Sequence, residues 1–168
     1  ILGLDDGSYR VSIDRVSGYS LTAAQFYQDV AEGAGVDAGQ VVEVVGGQQT
    51  VGVDDALRIG GELHGVLQNS QGVGLAWCQV QAYTEDGALV TRSGETDQDG
   101  AFTIPGLSTG SYLVRVVSYH RGNCRAGWQF YAGNGTLDGR DEAATGVSVT
   151  LGESADLGNL TYVEGGSI

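Results

Sequence analysis

The sequence contains no lysine and no methionine, only one proline and two cysteines, and all eight of its basic residues are arginines. The arginines stand singly among 21 acidic residues, so the formal net charge is -13 and no basic cluster could follow a phosphate backbone. The sequence therefore predicts no nucleic-acid partner and no binding to anionic membranes. The lack of lysine also excludes an isopeptide crosslink between a lysine amine and an asparagine side chain.

Long hydrophobic runs and catalytic motifs are lacking as well. No stretch of 18 apolar residues and no signal-peptide pattern occurs, so we expect neither a membrane span nor a secretion signal within these residues. His64 and His120 stand alone, and the sequence has no zinc-protease, serine-hydrolase or phosphate-loop motif. The sequence thus predicts a protein that is not an enzyme.

Glycine, in contrast, is abundant, with 29 residues among 168. Many glycines end short turn signals, such as Glu85-Asp86-Gly87, Asp97-Gln98-Asp99-Gly100 and Ser108-Thr109-Gly110. Aspartate, serine and glycine at such spacing are typical of the connections between β-strands. We therefore read the glycine excess as turn chemistry in an all-β protein.

The segments between these turns alternate as β-strands do. In Leu75–Tyr83, Cys78, Val80 and Ala82 share one face, and Trp77 lies on the other. The other predicted strands are Gly61–Gln68, Ser111–Tyr119 with Tyr112, Val114 and Val116 together, Thr145–Leu151, and Leu157–Val163. About seven strands in roughly a hundred residues predict a seven-stranded Greek-key β-sandwich of the Ig-like or transthyretin-like kind.

The sequence also matches itself at offsets of 103 to 105 residues. The aligned pairs are Ile1–Val11 with Ile104–Val114, Gln25–Tyr27 with Gln129–Tyr131, Val42–Val44 with Val147–Val149, and Gly60–Leu63 with Gly165–Ile168. We therefore expect residues 1–59 to be the rear half of one sandwich repeat, 60–164 a complete repeat, and 165–168 the start of a further repeat. We further expect the 168 residues to be a window from a longer tandem array.

Within the complete repeat, one family resemblance stands out. Gly65-Val66, Gly74-Leu75-Ala76 and the run Thr96–Val114 resemble the carboxypeptidase regulatory-like domain, a transthyretin-like sandwich of secreted and cell-surface proteins that is often found in tandem. The resemblance covers the complete repeat and, from Ile1 to Arg58, the rear half of its predecessor. It implies an extracellular or cell-surface protein.

The resemblance implies a structural function. We expect an extracellular structural protein of tandem sandwiches that acts as a stalk, spacer or filament subunit. Its partners would be other copies of itself or adjacent repeats, and strand edges would offer a route to assembly. The alternatives are a carbohydrate-binding accessory module that binds surface glycans, or the non-catalytic appendage of a secreted hydrolase.

The two cysteines fit that extracellular setting. Cys78 lies on a core-facing strand position and Cys124 in the loop after the predicted strand Ser111–Tyr119. Without a Cys-x-x-Cys spacing, and with so few histidines, a zinc site is not predicted. We expect a Cys78–Cys124 disulfide, and the alternative is two buried free thiols.

Two motifs lie at predicted turns. Tyr9 and Tyr112 follow equivalent Gly-Leu-x-x-Gly-Ser segments, where each would form a tyrosine corner with the preceding turn. Asp97 and Asp99, followed by Gly100, resemble the start of a calcium-binding loop, although the downstream glutamate is missing. The alternative is an ordinary turn. Calcium is the one candidate cofactor, and no other cofactor is expected.

The remaining candidates concern sugars. Trp128, Phe130 and Tyr131 could form an aromatic platform for a sugar ring, or could fill space beneath a loop. Trp77 is a second candidate, either for an exposed contact or for a contact between domains. Asn134 and Asn159 each begin an Asn-x-Thr sequon and are candidate glycosylation sites.

Overall fold

The structure is a computed structural model that describes residues 1–13, 22–27, 30–31, 36–118, 123–124 and 127–163. We call residues 1–59 the N-terminal unit and residues 60–163 the C-terminal unit. Every strand pair in the described ranges joins two strands of the same unit. The predicted start of a further repeat at 165–168, Tyr119 and His120 lie outside the described residues. Among the described helices, none has the length and apolar character needed to cross a bilayer.

The N-terminal unit consists of short antiparallel strands. β5 pairs with β1, and β3 pairs with both β2 and β4. The strands are β1 (Gly7–Arg10), β2 (Ser12–Ile13), β3 (Gln25–Phe26), β4 (Val30–Ala31) and β5 (Val41–Val44).

The C-terminal unit consists of two sheets. The first has the order β14-β6-β9, and the second has the order β12-β11-β10-β7-β8, with β13 pairing with β10 beside β11. The strands are β6 (Gly61–Gln68), β7 (Gln79–Tyr83), β8 (Leu89–Glu95), β9 (Ala101–Leu107), β10 (Gly110–Val117), β11 (Gln129–Tyr131), β12 (Leu137–Asp138), β13 (Val147–Val149) and β14 (Ser154–Thr161). The described residues of this unit thus contain nine strands where about seven were expected, because the hairpin of β11 and β12 adds two short ones.

The core of the C-terminal unit lies between its two sheets. One sheet contributes Leu63, Leu67, Ile104, Leu107 and Leu160, and the other contributes Cys78, Val80, Ala82, Val114 and Val116, and all ten side chains are fully buried. The alternation predicted from the sequence therefore gives the correct faces of β7 and β10. The predicted all-β sandwich is confirmed.

Pairing at the edge of the first sheet differs from what the sequence suggests. β14 runs parallel to β6, and its register shifts between Asp156 and Asn159. The strand begins at Ser154, earlier than the predicted Leu157, and ends at Thr161. Alternation along one strand does not indicate the direction of its partner strand. The sequence therefore does not predict the parallel pair.

The predicted strand Leu75–Tyr83 forms only from Gln79 onward. Trp77 has a φ of 68°, which interrupts the extended backbone. The buried hydroxyl of Thr96 replaces the missing strand contacts: it donates to the Leu75 carbonyl at 2.6 Å and accepts from the Cys78 amide at 3.0 Å. A side chain thus satisfies backbone groups that would otherwise be buried without partners.

Strand registers coincide at the positions that the sequence aligns. In each unit a Gly-Ser-Tyr strand pairs with a Val-x-Val strand, and its continuation pairs with a Gln-Phe strand. The matching pairs are Gly7↔Val44 and Gly110↔Val149, Tyr9↔Val42 and Tyr112↔Val147, Ser12↔Phe26 and Arg115↔Phe130, and Ile13↔Gln25 and Val116↔Gln129.

A buried glutamine occupies the same place in both units. Gln25 accepts a hydrogen bond from the Arg58 amide at 3.4 Å and donates to the Ala56 carbonyl at 3.1 Å. Gln129 accepts from the Val163 amide at 3.1 Å and donates to the Val163 carbonyl at 2.5 Å. In each unit the glutamine therefore ties the Gln-Phe strand to the segment that ends the unit.

The two units are in direct contact at their junction. The Ser108 hydroxyl of the C-terminal unit donates to the Ala24 carbonyl of the N-terminal unit at 3.3 Å, and both residues are buried. Gly60 lies so close to Gly106 that an added Cβ would be 2.5 Å from its backbone. The connector between the units therefore requires glycine and leaves little room for a flexible linker.

Candidate functional site

The structure joins Cys78 and Cys124 in a disulfide across 46 residues of sequence, with Cα atoms 5.4 Å apart. Both side chains are buried. The loop beside Cys124 is also held by Asn123, which accepts from the Ala76 amide at 2.8 Å and donates to the Gly74 carbonyl at 3.0 Å. One covalent and two polar links therefore connect this loop to the segment before β7.

Both candidate tyrosines make the same contact. The Tyr112 hydroxyl donates to the Ser108 carbonyl at 2.8 Å, and the Tyr9 hydroxyl donates to the Asp5 carbonyl at 3.0 Å. Each bond spans four residues and closes the turn before the Gly-Ser-Tyr strand. The contact is buried in the C-terminal unit and exposed in the N-terminal unit.

The Asp97 carboxylate accepts hydrogen bonds from backbone amides of its own turn. One of its oxygens accepts from the Asp99 amide at 3.0 Å and from the Ala101 amide at 2.8 Å. Gly100 follows with a φ of 81°, as this turn requires. Among the described residues, no three His, Cys, Asp or Glu side chains converge as metal ligands would. The contacts therefore favour the turn over the calcium loop for Asp97 and Asp99.

Arg115 is the centre of the outward face of the second sheet. Its guanidinium carbon lies 4.5 Å from the ring centre of Tyr83 and 5.8 Å from that of Phe130. Its Nη2 donates to the Gln81 side chain at 2.9 Å and to the Tyr83 hydroxyl. Gln81 and Phe130 are buried although they face outward, so these groups cover one another. Within the described residues, the buried Nε of Arg115 has no hydrogen-bond partner.

The three candidate aromatics do not form one platform. Trp128 and Phe130 pack edge to face, with ring centres 5.9 Å apart and planes at 80°. Tyr131, one residue further along β11, packs against the core on the opposite side of the sheet. Trp128 is half exposed and Phe130 is buried, so Trp128 is the more accessible ring of this pair. Trp77 is also half exposed, beside the start of β7.

The two sequons lie on the surface. Asn134 stands in the exposed turn between β11 and β12 with a φ of 50°, and Asn159 is exposed on β14. Both side chains would be accessible to a glycan.

One polar cluster was not foreseen because its members are distant in sequence. The Ser154 hydroxyl lies 2.8 Å from a Glu62 carboxylate oxygen and 2.9 Å from His64 Nδ1. Asp156 is 3.6 Å from His64 Nε2. Glu62, His64 and Asp156 line a shallow groove of about 440 Å³ on the outer face of the first sheet. The parallel pairing of β14 with β6 brings them together, so His64 is not isolated in space.

The hairpin of β11 and β12 ends in a charged pair. Asp138 accepts from Arg140 Nη2 at 2.9 Å and from Arg140 Nε at 3.1 Å. These side-chain bonds, with a third from the Arg140 amide, lower the pKa of the Asp138 carboxyl to about 2. Asp138 and Arg140 are two residues apart, so their ion pair depends only on the local structure of the hairpin.

Comparisons with known proteins complete these findings. No protein-family model matches the sequence, and no curated protein matches it. Among solved structures, the chain is similar to the minor pilin of the Gram-positive pathogen Streptococcus agalactiae, with a TM-score of 0.41 and 15% sequence identity. The match covers 98% of this chain and 64% of the pilin chain, so this chain spans less than two thirds of that structure.

Proposed function

We propose that this protein is an extracellular structural protein, in which tandem β-sandwich repeats form a stalk, spacer or filament. The observation that carries the proposal is that both units have the same strand registers and meet at a glycine connector without a free linker. A rod of repeats needs both properties, because each repeat contacts only its neighbours and a flexible joint would destroy its stiffness.

The repeat boundaries belong to this proposal. Residues 1–59 correspond to the rear half of one repeat and residues 60–164 to a complete one, of the carboxypeptidase regulatory-like kind. The matching hydrogen bonds of Tyr9 and Tyr112, and the buried glutamines Gln25 and Gln129, support this assignment.

The disulfide suits an extracellular position under load. Such bonds persist in oxidising compartments. Because Cys78 and Cys124 enclose all four strands from β7 to β10, force applied at the ends of the unit cannot extend this loop while the bond is intact. The C-terminal unit would therefore lengthen only in part when it unfolds.

Single-molecule extension tests this mechanical role. Unfolding of the C-terminal unit should release about 160 Å more contour length with reductant than without it, since 46 residues at about 3.4 Å each are freed. The Cys78→Ser, Cys124→Ser protein should show the longer step in either condition. Equal steps with and without reductant would contradict the proposal, as would electron micrographs of native material that show only dispersed monomers.

The half-exposed Trp128 favours carbohydrate binding as a second candidate function, since an exposed aromatic ring can stack on a sugar. A glycan array should then show binding that Trp128→Ala abolishes. Trp77→Ala is the matched control, because Trp77 is exposed to the same degree on a different part of the unit. Equal loss in both variants, or no binding by the unmodified protein, would eliminate this candidate.

A further inference from the structure

Apolar side chains that are buried in the C-terminal unit have exposed counterparts in the N-terminal unit. Ile104 and Leu107 are 0% exposed, whereas the aligned Ile1 and Leu4 are 93% and 39% exposed. The sequence around each pair is nearly the same, and the following Gly-Ser-Tyr strand has the same partner. The difference must therefore come from what covers the strand.

The same contrast continues in the next element along the chain, which is β10 in the C-terminal unit and β1 with β2 in the N-terminal unit. Tyr112, Val114 and Val116 are buried in the C-terminal unit. Their counterparts Tyr9, Val11 and Ile13 are only half-buried. The side chains that point to the core in one unit thus point to an incompletely covered face in the other. We use the name open face for the incompletely covered apolar side chains of the N-terminal unit, which are Ile1, Leu4, Tyr9, Val11 and Ile13.

The strand edge beside the open face also lacks a partner within the described residues. In the C-terminal unit, β10 pairs along one edge with β13 and β11 and along the other with β7. In the N-terminal unit, β1 and β2 pair with β5 and β3, which correspond to β13 and β11. No described strand occupies the position of β7.

We infer that the front half of a further repeat, a segment equivalent to residues 61–103, completes the open face. This inference rests on the repeat organisation proposed above. The copy of residues 61–103 in this chain already packs against β10 in the C-terminal unit, so it is not available to the N-terminal unit. The occupant is therefore a second copy of that sequence.

The register of the occupant follows from the C-terminal unit. There Val114 lies opposite Ala82, and Val116 lies opposite Val80. The equivalents of Ala82 and Val80 should therefore lie opposite Val11 and Ile13. Small apolar residues at these positions would face the core, while the equivalents of Gln79 and Gln81 would face outward.

The test is a chain in which a second copy of residues 61–103 directly precedes Ile1, as residue 103 precedes Ile104. The added copy carries Cys78→Ser, because the N-terminal unit has no cysteine. Amide hydrogen exchange should slow by about a hundredfold in residues 7–13, since amides of a paired strand exchange only when the pairing opens.

A matched control carries Val80→Asp and Ala82→Asp in the added copy only. Two charges on the inward face cannot be buried, so this chain should exchange at residues 7–13 as the unextended protein does. The C-terminal unit should be unchanged in all three proteins.

Three results would overturn the inference. One is unchanged exchange at residues 7–13 in the extended chain, and another is equal protection in the aspartate control. The third is sedimentation of the unextended protein as a dimer in which these amides are already protected, because a second copy of the open face would then be the occupant. If the extension fails while reductant still lengthens the unfolding step, only this inference fails and the mechanical role stands.

Discussion

The N-terminal and C-terminal units contain the same strand pairs but bury them to different extents. Gly7–Arg10 meets Val41–Val44 in the register that Gly110–Val117 adopts with Val147–Val149. Yet Leu4 is 39% exposed and its counterpart Leu107 is fully buried. Local sequence therefore sets the register of a strand pair, whereas burial depends on a partner sheet that the local sequence does not encode.

This comparison predicts that equivalent changes will have unequal effects in the two units. Stability of the C-terminal unit can be followed by tryptophan fluorescence, because both tryptophans, Trp77 and Trp128, belong to it. Amide exchange follows the N-terminal unit.

Removal of the disulfide should have the largest effect. The Cys78→Ser, Cys124→Ser protein should lose about 3 to 4 kcal/mol of unfolding free energy in its C-terminal unit, because the reduced chain gains loop entropy when it unfolds. Denaturant titrations read by tryptophan fluorescence will measure this loss. An unchanged unfolding midpoint would contradict the prediction, and exchange in the N-terminal unit should stay the same.

Truncation of the aligned leucines should have the next largest effect. Leu107→Ala removes a fully buried side chain and should cost about 3 kcal/mol through lost transfer energy and an unfilled cavity. Leu4→Ala should cost less than about 0.5 kcal/mol, because Leu4 already contacts water. Denaturant unfolding and amide exchange will compare the two variants. Equal losses of unfolding free energy in the two variants would contradict the difference in burial between the units.

The tyrosine corners give a smaller but more specific comparison. Tyr112→Phe leaves the buried Ser108 carbonyl without its 2.8 Å bond and should cost about 1 to 1.5 kcal/mol. Tyr9→Phe exposes the Asp5 carbonyl to water, which replaces the lost bond, so the cost should be less than about 0.5 kcal/mol. Chemical denaturation will measure the first, and exchange at residues 7–10 the second. A larger loss in Tyr9→Phe would refute the assignment of the N-terminal corner as exposed.

Acid should have the smallest effect, which can be followed at the hairpin of β11 and β12. The pKa of Asp138 is about 2 in the folded protein and 3.8 in an unperturbed aspartate, so its stabilising contribution is complete above about pH 4 and is lost as the pH falls toward 2. Protection of the β11–β12 amides should fall over this range, after correction for intrinsic exchange. In the N-terminal hairpin, Val30 stands opposite Phe26 where Asp138 stands opposite Phe130, so this register position carries no carboxyl group there. Asp138→Asn should remove the pH dependence, and its persistence in that variant would assign it to another group.

Alternation and turn signals suffice to predict the sandwich and the inward residues of β7 and β10, because both depend on a period of two along one strand. Cys78 is buried as the alternation predicts, although it lies one residue before β7. Tyr131 shows what composition alone does not predict. Aromatic residues that are neighbours in sequence lie on opposite faces of the sheet when they alternate along a strand.

Features that depend on distant pairing could not be predicted. The parallel approach of β14 to β6 brings Ser154 and Asp156 to His64 from some 90 residues away, and nothing near His64 in sequence signals this. The interruption at Trp77 depends on Thr96, which follows β8 directly and donates a hydrogen bond to the Leu75 carbonyl. Both features arise from tertiary contacts that satisfy polar groups after the sheets have formed.

Residue-resolved hydrogen exchange on the unmodified protein tests the central claim most directly, that the two units share registers but only one is a completed sandwich. The amides of Tyr112 and Val114 should exchange at least about a thousandfold more slowly than those of Tyr9 and Val11, because the former open only with the whole unit. Equal protection at the two pairs of positions would show that the N-terminal unit is as complete as the C-terminal one, and would contradict the account.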